Sequence, residues 1–273
     1  MPREFKVVAI IAAHNEQDII GQVVTDLIDQ GVHIYFLDDW STDETVSIVE
    51  RHVGRGVLAI ERLGASPSRE FNWQKILQRK EALAVELDAD WFIHHDADEF
   101  RESPWAGLSL AHAIEKVDRS GYNAIGFALF DFWPTGEDVA PGSDVRHTFR
   151  YYEPPREWNK LQVRCWKKRP ERVDLVSSGG HDVLFPNRRV YPLRFILRHY
   201  PIRGSEHGRR KVFVERLPRF TVVERMRDWH IQYDAYGDGA SFVRDPAAMT
   251  LYDPAAARAD VASEDIQRLD GER

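Results

Sequence analysis

Apolar and polar segments alternate regularly over the first hundred residues. Residues 6–13, KVVAIIAA, form a continuous apolar run of strand length, which is typical of a buried parallel strand. Apolar side chains then recur at helical spacing over 20–28, and Gly31 ends this predicted helix. Further strands are predicted at 33–39, 56–62 and 90–98, with helices after residue 41 and over 71–86. This alternation predicts an open, mostly parallel α/β sheet with helices on both faces.

Two of the predicted helices begin at residues that favour capping. Asn15 is placed to cap the first helix, and Ser41 with Glu44 has the spacing of a capping box for the second. Asn15 also follows the first strand directly, so it is a candidate to contact a ligand as well. The two roles are compatible.

The second half of the chain has a different pattern of apolar and polar residues. From about Tyr122, short β-like pieces alternate with Pro/Gly turns, and no long amphipathic helix is predicted before residues 209–217. We therefore expect one α/β body in three parts. These are a ligand-binding half over 1–120, an irregular β-rich half over 121–253, and a peripheral tail over 254–273 that is either helical or disordered.

The composition indicates a protein with a substantial core and no general affinity for nucleic acid. Hydrophobic residues make up 43% of the 273 residues and charged residues 30%, with a formal net charge of −7. A negative net charge opposes nonspecific nucleic-acid binding, which depends on neutralising phosphates with Lys and Arg. The local basic stretch 203–216 suits a small anionic ligand better than a polymer.

Cysteine content and targeting signals bear on the compartment. Cys165 is the only cysteine, which excludes an internal disulfide and a cysteine-based zinc site and favours a buried thiol. No window approaches eighteen apolar residues, and the N-terminus lacks the apolar length and cleavage site of a signal peptide. With no Asn-x-Ser/Thr sequon either, we expect a cytoplasmic protein without an integral membrane segment.

Three polar clusters follow predicted strands. They are residues 13–16 (AHNE), 38–43 (DDWSTD) and 95–99 (HDADE). The carboxyl ends of parallel strands meet at one edge of a sheet, and ligands of such folds bind there. We therefore expect these clusters to form one site.

The loop after the first strand excludes two nucleotide-binding motifs. A dinucleotide fold needs Gly-x-Gly-x-x-Gly at this point so that the backbone can approach a pyrophosphate. Here the loop reads AAHNEQD over 12–18, without a glycine, and no Walker A loop is present. A dehydrogenase is therefore excluded.

The acidic motif after the fourth strand favours a divalent cation. Side-chain direction alternates along an extended chain, so Asp96 and Asp98 point the same way. Two carboxylates on one face suit Mg²⁺ or Mn²⁺, and such an ion can also bind both phosphates of a nucleotide-sugar. A solvated acidic turn is the simpler interpretation, but it fits poorly with a position directly after an apolar strand. His94 and His95 alternate within the strand and are expected to pack or to support the motif.

The first half of the chain resembles the family 2 glycosyltransferases and their GT-A fold. The similar stretches are AAHNEQDIIGQVVTDLIDQGV, IYFLDDWSTDETVSIV and a strand that ends in DAD. HHDADEF, followed much later by LRHYPIRGSEHGRRKV, resembles the branch of this superfamily with an Asp-x-Asp-Glu-Phe motif. The resemblance covers about residues 5–105 and, less specifically, 196–216. It implies a nucleotide-sugar-binding half followed by an acceptor-side half.

The resemblance implies a nucleotide pocket beside the second strand. In the family an acidic residue there accepts hydrogen bonds from the base or ribose, which favours Asp39, with Asp38 as support or as a helix cap. A carboxylate is a suitable acceptor for an imide N–H, so uracil and guanine both remain open. His14, Asn15 and Glu16 would line the same pocket from the first loop.

The resemblance also implies a set of metal ligands. Asp98 would contact the metal directly, with Asp96 nearer the ribose or bound through water, and Glu99 would brace a basic residue. His199, after the strand-like run FILRHY, is the expected third ligand, since imidazole can complete a shell begun by carboxylates.

Basic residues close to His199 are candidates to bind phosphate. Arg203 and Lys211 would clamp the diphosphate, as such residues do for departing phosphate groups. For Arg209, Arg210 and Lys211 an exposed helix face is the alternative interpretation.

Two features depart from the family pattern. Trp40 stands where the residue after Asp-Asp is usually small, and the downstream Glu-Asp pair that normally supplies a base is not visible. An inverting transferase needs a group that takes the proton of the acceptor hydroxyl. Asp182, which follows two glycines and a histidine, is the first candidate, with Asp131 and Glu206 behind it. A polar hairpin turn is the alternative interpretation of this segment.

The sequence thus predicts a metal-dependent, inverting GT-A glycosyltransferase that uses Mn²⁺ or Mg²⁺. Its donor would be a UDP- or GDP-sugar, and its acceptor a hydroxyl group on a glycan, a lipid-linked molecule or a small molecule. Inversion is implied by the resemblance alone. The alternatives are a metal-dependent nucleotidyltransferase or hydrolase on a similar sheet, and a non-catalytic nucleotide-sugar-binding module.

Overall fold

The structure is a computed structural model, and the residues that it describes do not include every position. They are 3–65, 72–136, 142–153, 162–221, 226–227, 229, 236–237 and 239–263.

Strands and helices alternate along these residues. The strands are β1 (Val7–Ala13), β2 (Val32–Asp38), β3 (Val57–Arg62), β4 (Trp91–Asp96), β5 (Glu99–Glu102), β6 (Ala124–Phe132), β7 (Tyr151–Glu153), β8 (Gln162–Lys167), β9 (Phe195–His199) and β10 (Thr250–Leu251). The helices are α1 (Ile20–Asp29), α2 (Thr45–Glu50), α3 (Trp73–Glu86), α4 (Leu110–Arg119), α5 (Val145–Thr148), α6 (Ser205–Arg209) and α7 (Pro254–Ser263). A π-helix (Arg210–Arg216) continues α6, and short 3-10 helices lie at Leu217–Arg219 and Pro246–Ala248.

The first half forms the predicted parallel sheet. Strands β3, β2, β1 and β4 lie side by side in that order and all run in the same direction. In this register Val7 of β1 lies between Val32 of β2 and Trp91 of β4. The carboxyl ends of β1, β2 and β4 therefore meet at one edge, which confirms the predicted mixed α/β fold class.

Both faces of β1 are buried, which explains its uninterrupted apolar sequence. Val7, Ala9 and Ile11 belong to the core cluster that packs against α1 and α4. Val8 and Ile10 belong to a second cluster on the other face, with side chains of α3. Burial of one such side chain contributes roughly 1.5–3 kcal/mol relative to its exposure.

The second half extends the sheet with antiparallel strands and adds one parallel pair. β8 lies antiparallel to β4 and to β6, whereas β9 is parallel to β6 and antiparallel to β5. In this register Asp131 of β6 and Glu99 of β5 both stand opposite His199 of β9. Residues that are far apart in the sequence thus form one row across three strands.

The first helix begins later than predicted. α1 starts at Ile20 without a side-chain cap. Asn15 lies in a turn with a positive φ of 55°, and its Oδ1 accepts a hydrogen bond from the Thr42 amide at 2.8 Å. The prediction that Asn15 caps α1 is therefore wrong, because its side chain joins the first polar loop to the second.

The predicted capping box of the second helix is also absent. α2 starts at Thr45, whose amide donates to Asp43 Oδ1 at 3.0 Å. Ser41 instead donates its own amide to Asp38 Oδ1 at 2.9 Å, four residues before α2. Ser41 is therefore not the cap of α2, and Glu44, directly before the helix, makes no side-chain cap hydrogen bond.

The C-terminal tail begins as a packed helix. Ala257 and Val261 of α7 are buried in the main core, while residues 264–273 lie outside the described part of the chain. Cys165 is fully buried, as predicted. Among the described residues, no helix combines the length and the apolar character that crossing a membrane requires.

Candidate active site

The three polar clusters lie together at the carboxyl edge of the parallel strands. The amide of Asp39, just after β2, donates to the carbonyl of Ala13 at the end of β1 at 2.9 Å. Asp96, at the end of β4, is paired in register with Ala12 of β1. The clusters that were identified from the sequence therefore converge because their strands are parallel neighbours.

Asp96 and Glu99 are held by two arginines within the sheet. Arg164 of β8 donates through NH1 to Asp96 Oδ2 at 2.9 Å and to Glu99 Oε1 at 2.7 Å. Arg101 donates to Glu99 Oε2 at 2.7 Å. We call these four residues the inner network. Glu99 braces basic residues, as expected, and Arg164 was not identified from the sequence.

The pKa of Asp96 follows from this surrounding. Burial alone would raise it, but the Arg164 guanidinium and the Lys80 ammonium bring it well below its usual range. Arg164 holds one oxygen of Asp96, and the other lies 3.8 Å from His94 Nε2. Asp96 is therefore a permanent carboxylate with one oxygen committed to the sheet.

The buried Lys80 contacts two residues of β4. Lys80 Nζ lies 3.0 Å from His94 Nδ1 and donates to the His95 carbonyl at 2.9 Å. Burial lowers the pKa of Lys80 to about 8, and burial together with Lys80 holds the pKa of His94 well below its usual range. Both histidines are fully buried and neutral, in agreement with the expectation that they pack or support the motif.

Asp98 belongs to a second group of charges. Lys211 Nζ donates to Asp98 Oδ2 at 2.8 Å and lies 3.2 Å from Glu16 Oε1. Arg203 donates to Glu16 Oε2 at 2.5 Å and to Asp18 Oδ2 at 2.6 Å. We call Asp98, Glu16, Asp18, Lys211 and Arg203 the outer cluster.

Both cations of the outer cluster come from the segment that follows β9. Arg203 and Lys211 are each only 4% exposed, so the exposed-face interpretation is wrong for Lys211 and holds for Arg209. Burial would raise the pKa of Asp98, but Lys211 and His199 hold it well below its usual range. In this state the two cations contact carboxylates at the position where a diphosphate clamp was predicted.

His199 stands between two carboxylates. Its Nδ1 lies 2.6 Å from Asp131 Oδ1, and its Nε2 lies 3.6 Å from Asp98 Oδ1. Burial would lower the pKa of His199, but Asp98 and Asp131 raise it well above its usual range. The ring is therefore charged near neutral pH in this state.

The donor set around Asp98 fits a divalent cation. Oδ1 of Asp98 and Nε2 of His199 are 3.6 Å apart, so both can reach one ion at ligand distances of about 2.1 Å. Another group places one potential ligand atom from each member within 4.8 Å of the others: Glu16, Asp18 and His207. Arg203 already bonds both carboxylates of that group. The Asp98–His199 pair is therefore the better candidate metal site.

A cleft of about 390 Å³ opens beside the second strand, next to Asp39. Its lining residues come from the first two polar loops and from the segment after α6: His14, Asn15, Thr42, Asp43, Arg210, Val214, Glu215 and Arg219. Asp39 Oδ2 accepts a hydrogen bond from Arg219 at 2.8 Å, and its backbone oxygen lies 2.7 Å from His14 Nδ1. Burial and Arg219 lower the pKa of His14, which leaves its ring neutral. Glu16 lies in the outer cluster and is not among these lining residues.

Asp38 and Trp40 shape the second loop. Asp38 is fully buried and accepts from the Ser41 amide and from Arg62 Nε, at 2.9 and 3.0 Å. Trp40 has a positive φ of 60°, which is unusual for a bulky residue. Its Nε1 donates to the Leu63 carbonyl at 2.6 Å, and Arg62 lies 4.9 Å from its ring centre. These contacts stabilise the large side chain of Trp40, at the position after Asp-Asp where the family pattern in the sequence analysis has a small residue.

Asp182 lies on a loop that borders the inner network. His181 Nδ1 is 3.3 Å from Arg164 NH2. Asp182 is 7% exposed, and its Oδ1 accepts from Arg188 at 2.6 Å. Gly180 has a positive φ, and a Cβ there would lie 2.9 Å from His94 Nε2, so glycine is needed where this loop meets β4.

Several charged partners were missed by sequence reasoning. They are Lys80, Arg164, Asp18 and Arg219. Arg164 carried a detectable signal, because a charge between apolar residues in the strand QVRCWK must find a buried partner. The partner itself could not be read, because it depends on which strands are neighbours.

Residues 8–138, slightly less than half of the chain, match the family model described as glycosyl transferase family 2. This match covers most of the stretch, about residues 5–105, whose motifs resemble that family in the sequence. A search of the curated proteins finds no match for this sequence.

Solved structures of glycosyltransferases share part of the fold at low identity. TarS 1–349 from S. aureus in complex with UDP is 13% identical, with 72% of this chain and 61% of that chain covered and a TM-score of 0.43. A mannosyltransferase from Pyrobaculum calidifontis in complex with GDP-Man and Mn²⁺ is 17% identical, with 47% and 36% covered and a TM-score of 0.34.

A third structure is glucosyl-3-phosphoglycerate synthase from Mycobacterium tuberculosis in complex with Mn²⁺, UDP and phosphoglyceric acid. It is 18% identical, with 46% of this chain and 43% of that chain covered and a TM-score of 0.29. The present chain spans 47% and 61% of the lengths of two of the TarS 1–349 chains that it matches. At TM-scores below 0.5, these likenesses assign no residue roles.

Proposed function

We propose that this protein is a metal-dependent, inverting glycosyltransferase that moves a sugar from a UDP- or GDP-sugar to a hydroxyl acceptor. The supporting observation is the pair Asp98 and His199, with donor atoms 3.6 Å apart, at the edge of a sheet whose first half matches a glycosyltransferase family. Residues 1–120 would bind the nucleotide-sugar, and 121–253 would form the acceptor side and supply the metal- and diphosphate-binding segment 196–216. The cytoplasmic location expected from the sequence is part of this proposal.

The nucleotide would bind in the cleft beside β2. Asp39 would accept hydrogen bonds from the base or ribose once Arg219 moves from its carboxylate, and His14 and Asn15 would line the pocket. Asp96, held in place by Arg164, would face the ribose through its other oxygen or bind the metal through water.

The diphosphate would bind where the outer cluster lies. Mn²⁺ or Mg²⁺ held by Asp98 and His199 would supply Lewis-acid stabilisation of the departing diphosphate. Arg203 and Lys211 sit beside Asp98 and Glu16, from where each can turn a positive charge toward phosphate oxygens. Glu16 would keep both cations near the site when the diphosphate is absent.

Asp182 is our proposed base for the acceptor hydroxyl. Its loop borders the inner network through His181, and Arg188 fixes the orientation of its carboxylate. Asp182→Asn should keep donor binding, measured as thermal stabilisation, and lose transfer. Unchanged turnover would remove Asp182 from this role.

The alternatives lack a supporting feature at this edge. A nucleotidyltransferase would need a glycine-rich basic loop after β1, and the loop there carries His14, Asn15 and Glu16. A silent binding module has no need for the crowded carboxylates at Asp96, Asp98 and Glu99.

The decisive experiment is a thermal-shift screen of nucleoside diphosphates with and without Mn²⁺. A ligand that binds only the folded state raises its apparent stability, by about 2.7 kcal/mol at a hundredfold excess over Kd. We expect stabilisation by UDP or GDP that requires Mn²⁺ and is lost in Asp98→Ala. Asp29→Ala, an exposed carboxylate at the end of α1 on the opposite edge, is the matched control and should respond like wild type.

Two outcomes would contradict the proposal in different ways. The absence of any shift with every nucleoside diphosphate would overturn the function. A shift that is indifferent to Mn²⁺ and to Asp98→Ala would overturn the metal mechanism and leave nucleotide binding standing.

A further inference from the structure

We infer that Asp131 is a positioning residue that orients His199 toward the metal site. The inference rests on the proposed function and adds to it a residue outside the acidic motif. Asp131 Oδ1 lies 2.6 Å from His199 Nδ1, and the other ring nitrogen, Nε2, lies 3.6 Å from Asp98 Oδ1. The imidazole of His199 therefore lies between the carboxylates of Asp131 and Asp98.

The strand register fixes the arrangement of Asp131, His199 and Asp98. Asp131 of β6 and His199 of β9 are directly paired in a parallel ladder that runs from Phe127 to Asp131. On the other side His199 is paired with Glu99 of β5, in the turn of chain that carries Asp98. The backbone thus sets the distance between Asp131 and His199, which favours a positional role over an incidental contact.

The other carboxylates near this row are engaged elsewhere. Glu99 is bonded to Arg101 and Arg164 in the inner network. Glu153, which is paired in register with Asp131, accepts from Arg244 at 2.9 Å. Among the described carboxylates of this row, Asp131 is therefore the one bonded to the imidazole.

This geometry determines which nitrogen is presented. A ring that donates its Nδ1 proton to Asp131 keeps Nε2 for the site on the Asp98 side. Metal-binding histidines are commonly oriented in this way by a carboxylate, and removal of that carboxylate typically weakens metal binding about 10- to 100-fold. Asp131 was a reserve candidate for the catalytic base, and the contact with His199 favours positioning instead.

The test is Mn²⁺ binding, measured by electron paramagnetic resonance in the presence of UDP or GDP. We expect Asp131→Ala to weaken Mn²⁺ binding about 10- to 100-fold. Asp131→Asn should weaken it less, because the amide oxygen can still accept the Nδ1 proton. The ¹⁴N coupling of bound Mn²⁺ to imidazole should decrease in the same order. Glu153→Gln, the matched change on the neighbouring strand, should bind Mn²⁺ like wild type.

A double-mutant comparison separates positioning from a general loss of structure. In a His199→Ala background, Asp131→Ala should have no further effect on Mn²⁺ affinity, since the imidazole that it positions is gone. Asp131→Ala that binds Mn²⁺ with unchanged affinity and unchanged ¹⁴N coupling would overturn the inference, and lost turnover in that variant would then indicate a base.

The failure of the inference can be told from failure of the proposed function. If wild type binds no Mn²⁺ with either nucleotide, the proposed function fails and the inference fails with it. If wild-type binding is weakened by His199→Ala and is indifferent to both Asp131 variants, the inference alone fails.

Discussion

The carboxylates of the acidic motif are neutralised by cations from two different parts of the fold. In the inner network, Asp96 and Glu99 are neutralised by Arg164 and Arg101, which belong to strands of the same sheet. In the outer cluster, Asp98 is neutralised by Lys211, which belongs to the π-helix that follows β9 and α6. Two carboxylates only two positions apart thus depend on different parts of the fold.

This difference distinguishes the residues that hold the acidic motif in place from the residues that can bind a ligand. The backbone of Arg164 is fixed by pairing on both sides, because β8 lies between β4 and β6, and its side chain bonds both Asp96 and Glu99. Lys211 can leave Asp98 by movement of a short helical segment, and π-helical turns are frequent at functional sites. We expect the inner network to keep the motif in place and the outer cluster to exchange its partners when ligands bind.

The largest expected effect is the loss of Arg164. Arg164→Met would leave Asp96 and Glu99 with less compensation inside the protein, and breaking a buried ion pair typically costs about 3–5 kcal/mol. The free energy of unfolding, from urea titration, should fall by that amount. Arg119→Met is the matched control, because Arg119 is 76% exposed in its pair with Glu115 and such pairs contribute less than about 1 kcal/mol. Equal losses in the two variants would contradict the distinction.

Asp98→Asn should act on function more than on stability. We expect transfer to fall at least about 100-fold, comparable to the loss of one stabilising group in a transition state. The free energy of unfolding should change by less than in Glu99→Gln, because Lys211 keeps Glu16 as a partner. Initial rates of transfer and urea titrations of both variants check this. A larger loss of stability in Asp98→Asn than in Glu99→Gln would reverse our assignment.

Lys211→Met should change two affinities in opposite directions. Without the competing ammonium beside Asp98, the nucleotide-free protein should bind Mn²⁺ about tenfold more tightly, equivalent to ~1.4 kcal/mol. Binding of the nucleoside diphosphate should weaken, because a phosphate-binding charge is lost. Titration calorimetry measures both, and Arg209→Met, an exposed charge on the same segment, should change neither affinity by more than about twofold. Parallel weakening of both ligands would argue that Lys211 is only structural.

His199 gives the smallest predicted effect, a pH dependence of the metal-free protein. Its pKa is raised on folding, so its contribution to stability is fully present below about pH 6.5 and is lost as pH rises through the folded-state pKa. In chelator, the difference in the free energy of unfolding between wild type and His199→Gln should shrink as the pH rises from 6 to 8.5. Urea titrations across this range measure it, and a difference that grows with pH would contradict the assignment.

Much of the fold could be predicted from local patterns. The apolar run of β1, the spacing of α1 and the position of Asp39 and Asp98 after strands all follow from periodicity, which acts within one element. The helix caps could not be predicted, since Asn15 has an equally good partner in Thr42 of the next loop. Such a choice depends on a neighbour that is distant along the chain.

The sequence by itself determined that three polar loops would meet at one edge of a parallel sheet, and that the acidic motif would lie there. Only the tertiary structure decided which charge neutralises which. Strand order and register bring Arg164 to Asp96 and Asp131 to His199, and the packing of the π-helix brings Lys211 to Asp98. The physical reason is that side-chain periodicity is local, whereas a buried charge is stabilised by whichever opposite charge the packed fold brings within bonding distance.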